Sequence, residues 1–550
     1  MAVFNQDNAA FQVLTSLGQD ALVLLGFRGE ETLSGSFEFV LELGALHGTR
    51  INSNALVGQT STLTLREKGE TQRTIHGLIC EFTDLGPGRQ FDLYRMVLRP
   101  RLWQLGLVRR SRVFQNLNAL QILQAVSQPV GGCDARWVSP QPDNRVYCAQ
   151  YRETDLEFFR RICTEEGFQW YWQHSENDHL LTVSGGASQP ESGVCLFDRD
   201  EGGSADKACI RQWEVTQAMV NNQASVLDSH FELFNQPLGS TKQGVESVAA
   251  GEAIFQTIHP PVPASQENAQ SPVRYFDSVS ADGTVAPENL GPVYDAVEAR
   301  ARLLAQAATG RCVVARGSGT VMNLVPGYAF TLQGRQPYDG QWRTLSVRHE
   351  GRQEGLFWQG ENPKVSYRCD FEAAPLPLPQ RPWPPIPRPL AASVETAIVV
   401  GPPGQEANLD CFGRVQVRFW WQPAGDETQP SCWIRVAQFW AGQSYGAFFW
   451  PRCGHEVVVA HEHGDPDRPI IVGSVYNSVN TVPYTMPANT YLAGLKTKIQ
   501  GGDPAENCHK LTLSDNPGRQ IVTIHSENML VTTQENRQIG RRPRLDTTIL

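Results

Sequence analysis

Residues 411–477 constrain the fold most, because turn signals cut this stretch into runs that suit only short, tightly connected strands. Val415, Val417 and Phe419 share one face of an extended segment, with Arg414, Gln416 and Arg418 on the other. Residues 431–438, 446–450, 455–460 and 469–476 follow, each bounded by Gly, Pro or Asp. Five short strands in so few residues suit a small closed barrel of the OB type. Between the last two runs lies Gly464-Asp465-Pro466-Asp467-Arg468-Pro469. Gly464 can take positive φ, Pro466 presets φ, and the Asp465 side chain can cap the turn.

A small barrel names no function, so the surrounding chain must supply one. A length of 550 residues predicts about three or four domains. The net charge of −10 and a pI near 5.7 disfavour a chain-wide nucleic-acid or anionic-membrane surface. The N-terminus lacks the basic and apolar regions of a signal peptide, and no apolar run approaches the roughly 20 residues a membrane span needs. The twelve cysteines are scattered without a C-x-x-C pair, which argues against a zinc ribbon. They read as reduced, mostly buried thiols of a chain made in the cytoplasm.

The chain in order is mainly β with a few helices. Phe37, Phe39, Leu41 and Leu43 alternate with Glu38, Val40 and Glu42, and residues 62–65, 74–82 and 90–98 continue the pattern, with a turn predicted at 84–88. A barrel or strongly curved sheet follows from this. Leu117, Leu120, Leu123 and Val126 then recur at helical spacing, ended by Pro129 and Gly131-Gly132. A second helix is marked by Thr154 and Glu157 as a capping box, by Leu156, Phe159 and Ile162 as its apolar stripe, and by Gly167 as its C-terminal cap. The aromatic run Phe168, Trp170 and Trp172 could stack on sugars or bases, but packing beneath that helix is the simpler expectation.

Residues 205–365 form a second β-rich region with one helix, opened by Pro292 and closed by Gly310, with Val293, Val297, Ala301 and Leu304 inward. Residues 317–332 and 341–353 read as strands. Proline is so dense over 375–389 that helix and internal sheet are forbidden. The segment could be an SH3-type ligand, but a stiff connector is the plainer reading. Residues 510–513, 520–525 and 529–533 are strand-like with few neighbours to cover them, so they call for identical chains around a three-fold axis.

This order of segments resembles the VgrG family of type VI secretion spikes, relatives of the hub and spike of contractile phage baseplates. The resemblance rests on Asp410-Cys411-Phe412-Gly413-Arg414-Val415-Gln416-Val417, Cys432-Trp433-Ile434-Arg435-Val436 and the Gly464–Pro469 turn motif. Upstream, Asp155-Leu156-Glu157-Phe158-Phe159, Glu165-Glu166-Gly167, Val325-Pro326-Gly327 and Arg348-His349-Glu350 fall in the same order. It covers about residues 10 to 535. It implies a homotrimer whose residues 1–374 form a hub of two tube-type β-barrels with an inserted α/β part. Residues 375–390 would be a Pro-rich linker, 391–480 an OB-fold collar, and 490–550 an intertwined β-helix needle.

The implied function is mechanical. Six pseudo-equivalent barrels of three chains would stack on the hexameric tube protein Hcp and contact baseplate components. A PAAR-repeat protein would tip the needle, effectors would ride on it, and a contracting sheath would drive it through a target membrane. The chain would thus be exported by the type VI machine without a signal peptide. A phage tail or extracellular injection particle would use the same hub.

No catalytic, cofactor-binding or metal residue is assigned, and no cofactor is expected. Two departures from the family pattern stand out. His461-Glu462-His463 precedes the turn, and strand alternation would put both histidines on one face, making a metal-dependent hydrolase the enzymatic alternative. A third ligand is not identifiable, and no P-loop is present. The second departure is Gly540-Arg541-Arg542-Pro543-Arg544-Leu545, which is unlike a β-helix and predicts a short or truncated needle. An OB-type nucleic-acid binder could draft Trp420, Trp421, Trp433 and Trp440 with Arg414, Arg418 and Arg435, but the acidic chain opposes it.

Overall fold

The computed structural model describes every residue except 1–4, 8, 138–140, 187–189, 200–207, 260–264, 268–274, 281–282, 355–363, 385, 423–429, 504–506 and 528–550. The strand predicted at 529–533 and the Arg-rich stretch at 540–545 lie outside the described residues.

One strand organises the first two barrels. Gly340–Glu354 pairs along its length with Lys364–Pro375, while its start pairs with Ala329–Gln333 and its later part with Val23–Thr32. It therefore belongs to both barrels. The first barrel continues from Val23–Thr32 through Phe37–Ala45, Asp92–Arg99, Glu70–Pro87 and Thr60–Glu67 to Phe11–Leu14, all antiparallel. The side chains of Gln6 and Gln353 close the ring where backbone pairing is missing. The alternation over Phe37–Ala45 holds, with Phe37, Phe39, Leu41 and Leu43 all buried.

The second barrel runs from Lys364–Pro375 through Val313–Gly319 to Ile210–Gln217 on one side. On the other, Ala329–Gln333 pairs in parallel with Glu191–Leu196, and a bridge between Phe197 and Ile210 closes the ring. Trp213, Phe330, Trp342 and Phe371 fill it, Trp213 lying edge-on to Trp342 at 4.8 Å.

Helix α1 (Ala119–Ser127) is capped by Asn118, and α2 (Asp155–Glu166) by the Thr154/Glu157 box, with Gly167 at φ +70 ending it. Trp170 and Trp172 are buried in one continuous core with Phe159, Leu123 and the first-barrel residues Phe37 and Phe39, so this aromatic run is packing material. Helix α3 (Pro292–Thr309) buries Val293, Val297, Ala301 and Leu304.

Three local expectations shift. The turn predicted at 84–88 lies further on, where Gly88 N–H bonds Phe91 O at 2.8 Å. Gly86, at φ +83, is instead where the strand register slips, as a glycine at positive φ allows. The single strand predicted over 317–332 is broken at Val325-Pro326-Gly327, Gly327 taking φ +89. In the small barrel the fifth strand is Glu395–Val400, and not residues 446–450.

The small barrel is ordered Gln416–Phe419, Glu395–Val400, Glu456–His461, Pro469–Val475 and Arg435–Val436, closed by a bridge between Val415 and Ile434. Its core contains Val399, Val417, Val457 and Ile471, and also Tyr147 and Ala149 from the strand Asn144–Thr154 of the larger unit. Beyond it, Leu492–Lys496, Lys510–Ser514 and Ile521–His525 form an antiparallel three-stranded sheet. Of the twelve cysteines only Cys411 is exposed, and none is in a disulfide.

Candidate functional site

The joint between the double barrel and the small barrel carries the densest buried chemistry, and the turn 464–469 sits at its centre. Gly464 has φ +73, the Asp465 side chain accepts from Asp467 N–H at 3.0 Å, and Arg468 N–H bonds Asp465 O at 2.9 Å. This folds Asp465 and Asp467 inward, where both are buried. Arg388, from the proline-rich segment, meets them: its Nη1 lies 2.9 Å from Asp465 Oδ2 and 3.3 Å from Asp467 Oδ2, and its Nε lies 3.0 Å from Glu165 Oε1 on α2. Asp467 Oδ1 also accepts from Ala149 N–H at 2.6 Å. Three segments distant in sequence are thereby fixed on one guanidinium, whose planar fork suits several carboxylates at once.

A second layer surrounds this contact. Arg161 Nη1 and Nη2 reach Glu165 Oε1 at 3.1 Å and Glu153 Oε1 at 2.6 Å, and Arg145 pairs with Glu165 and Glu166 at 2.7 and 2.5 Å. Burial alone would raise the Glu165 carboxyl, but Arg388, Arg145 and Arg161 outweigh it and hold it well below the usual carboxylate range. Asp467 goes the other way: burial and then the neighbouring Asp465 push it up to about 6. Two further pairs tie the units together, Arg414 forking onto Asp277 at 2.8 and 2.9 Å and Arg468 meeting Asp228 at 2.7 Å.

The proline-rich segment is thus a strap laid along the larger unit. Leu378 is fully buried, Gln380 Nε2 donates to Gly310 O at 2.8 Å, and Arg381 Nη1 donates to Gly167 O and Gly185 O at 3.0 and 2.9 Å. The sequence marks its stiffness; its four anchors come from side chains whose partners only the fold assembles.

His461 and His463 do not share a strand face. The strand ends at His461, Glu462–Gly464 is a tight helical turn, and His463 takes φ +54 and is exposed. The His461 ring stacks on Phe419 at 6.3 Å, and its buried Nδ1 has no hydrogen-bond partner. Glu462 pairs instead with Arg435. The alternation that would have set both imidazoles on one strand face therefore does not extend to His463. Of the residues a nucleic-acid surface would draft, Arg414 and Trp433 are buried, Trp433 Nε1 donating to Ser280 O at 2.9 Å, while Trp420 and Trp440 are exposed.

A cluster the sequence reading missed is His76, Asp178 and His179, whose ligand atoms lie within 4.8 Å of one another. The ring nitrogens that face into it are already committed. Arg101 N–H donates to His179 Nε2 at 2.9 Å, so the neutral ring carries its proton on Nδ1, which faces His76 Nδ1 at 2.9 Å. Asp178 is held by Arg101 Nη1 at 2.8 Å. A cation held by both facing ring nitrogens would have to displace the proton between them. No spacing in the sequence signals the cluster, because its members come from strands about a hundred residues apart.

Among the large apolar side chains left exposed, two groups lie close together in sequence. Phe439, Trp440, Tyr445 and Phe448, on and beside a short hairpin of the small barrel, are each more than half exposed, as are Ile521, Val522 and Ile524 of the terminal sheet. Patches of this kind mark surfaces that another chain covers.

A family model described as the phage tail baseplate hub matches residues 30–355, and one for the type VI secretion system/phage-baseplate injector OB domain matches residues 406–476. Among curated relatives, the type VI secretion system spike proteins VgrG1b and VgrG1a of Pseudomonas aeruginosa are 28% and 29% identical over 530 and 525 residues, or 95% and 94% of this chain. The chain spans 68% and 77% of their lengths. A solved Escherichia coli type VI secretion component, described as similar to the T4 phage tail proteins gp27 and gp5, superposes with a TM-score of 0.57 at 19% identity, covering 84% of this chain and 100% of its own.

Proposed function

The chain belongs to the phage tail baseplate hub family, and from that premise we propose that it is the spike of a type VI secretion machine, working as a non-catalytic homotrimer. The double barrel is the hub. With three chains, the two barrels joined by Gly340–Glu354 give six related rims, a surface suited to stacking on a hexameric Hcp ring. The small barrel is the collar, and the terminal sheet begins the needle.

The observation that carries this reading is the terminal sheet. Ile521, Val522 and Ile524 are 57–64% exposed, and no described element covers them. Three such sheets wound together would bury these residues and leave no strand edge to peel, which suits a part that must transmit thrust. The joint at Arg388 would pass compression from hub to collar without a flexible linker. Baseplate proteins, a PAAR-repeat tip and cargo effectors are the partners this reading assigns, with the chain exported by the machine it serves. No helix among the described residues is long and apolar enough to cross a membrane.

Light scattering on the purified chain is expected to give about three times the protomer mass of 61.0 kDa. A monodisperse particle at the protomer mass would sink the trimer. Deleting the gene is expected to stop Hcp export; continued export would remove the chain from the machine.

A further inference from the structure

His76, on Glu70–Pro87 of the first barrel, and His179, on His179–Ser184 of the adjoining small sheet, are 2% and 4% exposed and meet Nδ1 to Nδ1 at 2.9 Å. Only one proton fits between two ring nitrogens at that distance. His179 supplies it, because its Nε2 is occupied by Arg101 N–H at 2.9 Å. His174, on Gln169–His174 of the same small sheet, places Nδ1 3.2 Å from both the N–H and the carbonyl of His76, while its Nε2 is buried without a hydrogen-bond partner. Phe37 packs edge-on against His174 and His179 at 5.0 and 5.7 Å, and Trp172 against His179 at 5.7 Å, so the cluster is walled by aromatic rings.

The charges facing it are already balanced. Arg101 is paired with Asp178 at 2.8 Å, and Arg73 with Glu31 at 2.7 Å. His349 Nε2 lies 3.0 Å from Glu31, and its Nδ1 lies 2.7 Å from Tyr367 Oη. A proton added to His76 Nδ1 would oppose two N–H groups at 2.9 Å, and one added to His179 Nε2 would expel the Arg101 amide. Either would also add a cation beside Arg101.

We propose that this histidine cluster is an acid-released latch between the first barrel and the sheet 169–184, closed while its imidazoles are neutral and opened when they take up protons. Burial holds all three rings below the ordinary imidazole value of 6.5, His174 down to about 4 and His179 to about 2, with His76 lowered as well. The unfolded segment binds protons more readily than the folded one. The latch is therefore at full strength above about pH 6.5 and weakens as pH falls below it, the opened population rising about tenfold per pH unit for each proton taken up.

Hydrogen exchange read by mass spectrometry on the full chain tests this, between pH 7.5 and pH 5, with rates corrected for the intrinsic pH dependence of amide exchange. Peptides covering 74–82 and 169–184 are expected to lose protection at least about tenfold, while 210–217 and 313–319 of the second barrel do not. Equal loss in both barrels, or no loss, would overturn the proposal. In the double variant His76→Asn, His179→Gln, whose amides do not protonate, the selective loss is expected to shrink; its persistence would equally overturn it. If that variant fails to fold, the wild-type comparison of the two barrels still decides. Addition of zinc is expected to leave the exchange profile unchanged, and stoichiometric zinc uptake that protects 169–184 would replace the latch with a metal site.

Discussion

Gln353 and Phe11 exchange two hydrogen bonds where the first barrel has no backbone rung. Phe11 N–H donates to Gln353 Oε1 at 3.0 Å, and Gln353 Nε2 donates to Phe11 O and Leu24 O, both at 2.7 Å. Gln6 repeats the device, accepting from Val13 N–H at 3.1 Å and donating to Leu22 O at 3.1 Å. A carboxamide carries the donors and acceptor of a peptide group, so it can stand in for a missing strand. Gln353 is 1% exposed, and water cannot take its place.

Gln353→Leu is therefore expected to cost about 2–4 kcal/mol, because it strands buried backbone groups as well as removing three bonds. Urea denaturation followed by tryptophan fluorescence, at fixed protomer concentration, checks it. A loss below roughly 1 kcal/mol would mean the strands close without the amide.

Arg388→Met leaves Asp465, Asp467 and Glu165 short of the cation that joins them. Breaking one partner of a buried network typically costs about 3–5 kcal/mol, well beyond what the interaction contributes net. Thermal melts should show the loss, and limited proteolysis should newly cut near the strap. An unchanged melt and digest would show that the apolar core shared by Tyr147, Ala149 and the small barrel holds the joint alone.

Asp467 gives the joint a pH dependence of known sign. Its folded value of about 6 exceeds its ordinary 3.8, so the folded state binds the extra proton, and the group's contribution is lost as pH rises through about 6. In Asp467→Asn the stability difference from wild type should shift in the variant's favour between pH 4 and 7, by at most roughly 1.4 kcal/mol per unit. Parallel stability profiles for the two proteins would show that the carboxyl titrates as in water. Taking the difference also cancels the opposing contribution of the buried histidines.

Ile521→Lys with Ile524→Lys places charges on strand positions that are 57% and 62% exposed in the single chain. The protomer fold should survive, with an unchanged near-ultraviolet spectrum, while mass photometry shifts from trimer toward monomer. A variant that stays trimeric would move the needed contacts to the aromatic hairpin around Tyr445.

The sequence by itself determined the elements whose signals are local. The Thr154/Glu157 box and Gly167 mark both ends of α2, Pro292 and Gly310 bracket α3, and alternation names the buried face of Phe37–Ala45. Each depends on residues three or four apart, or on a period of two, and distant parts of the chain do not alter that physics. The family likeness was legible for a similar reason, since turn residues are chosen by backbone geometry.

Only the tertiary structure decided which strand serves two barrels, because pairing partners such as Phe27 and Gly351 leave no mark in either local pattern. It alone brought Arg388, Glu165 and Asp467 together, and His76 to His179. Charged and titratable residues have no period that reveals a buried partner. What they do depends on desolvation and on neighbours within a few ångström, and both are set by the fold.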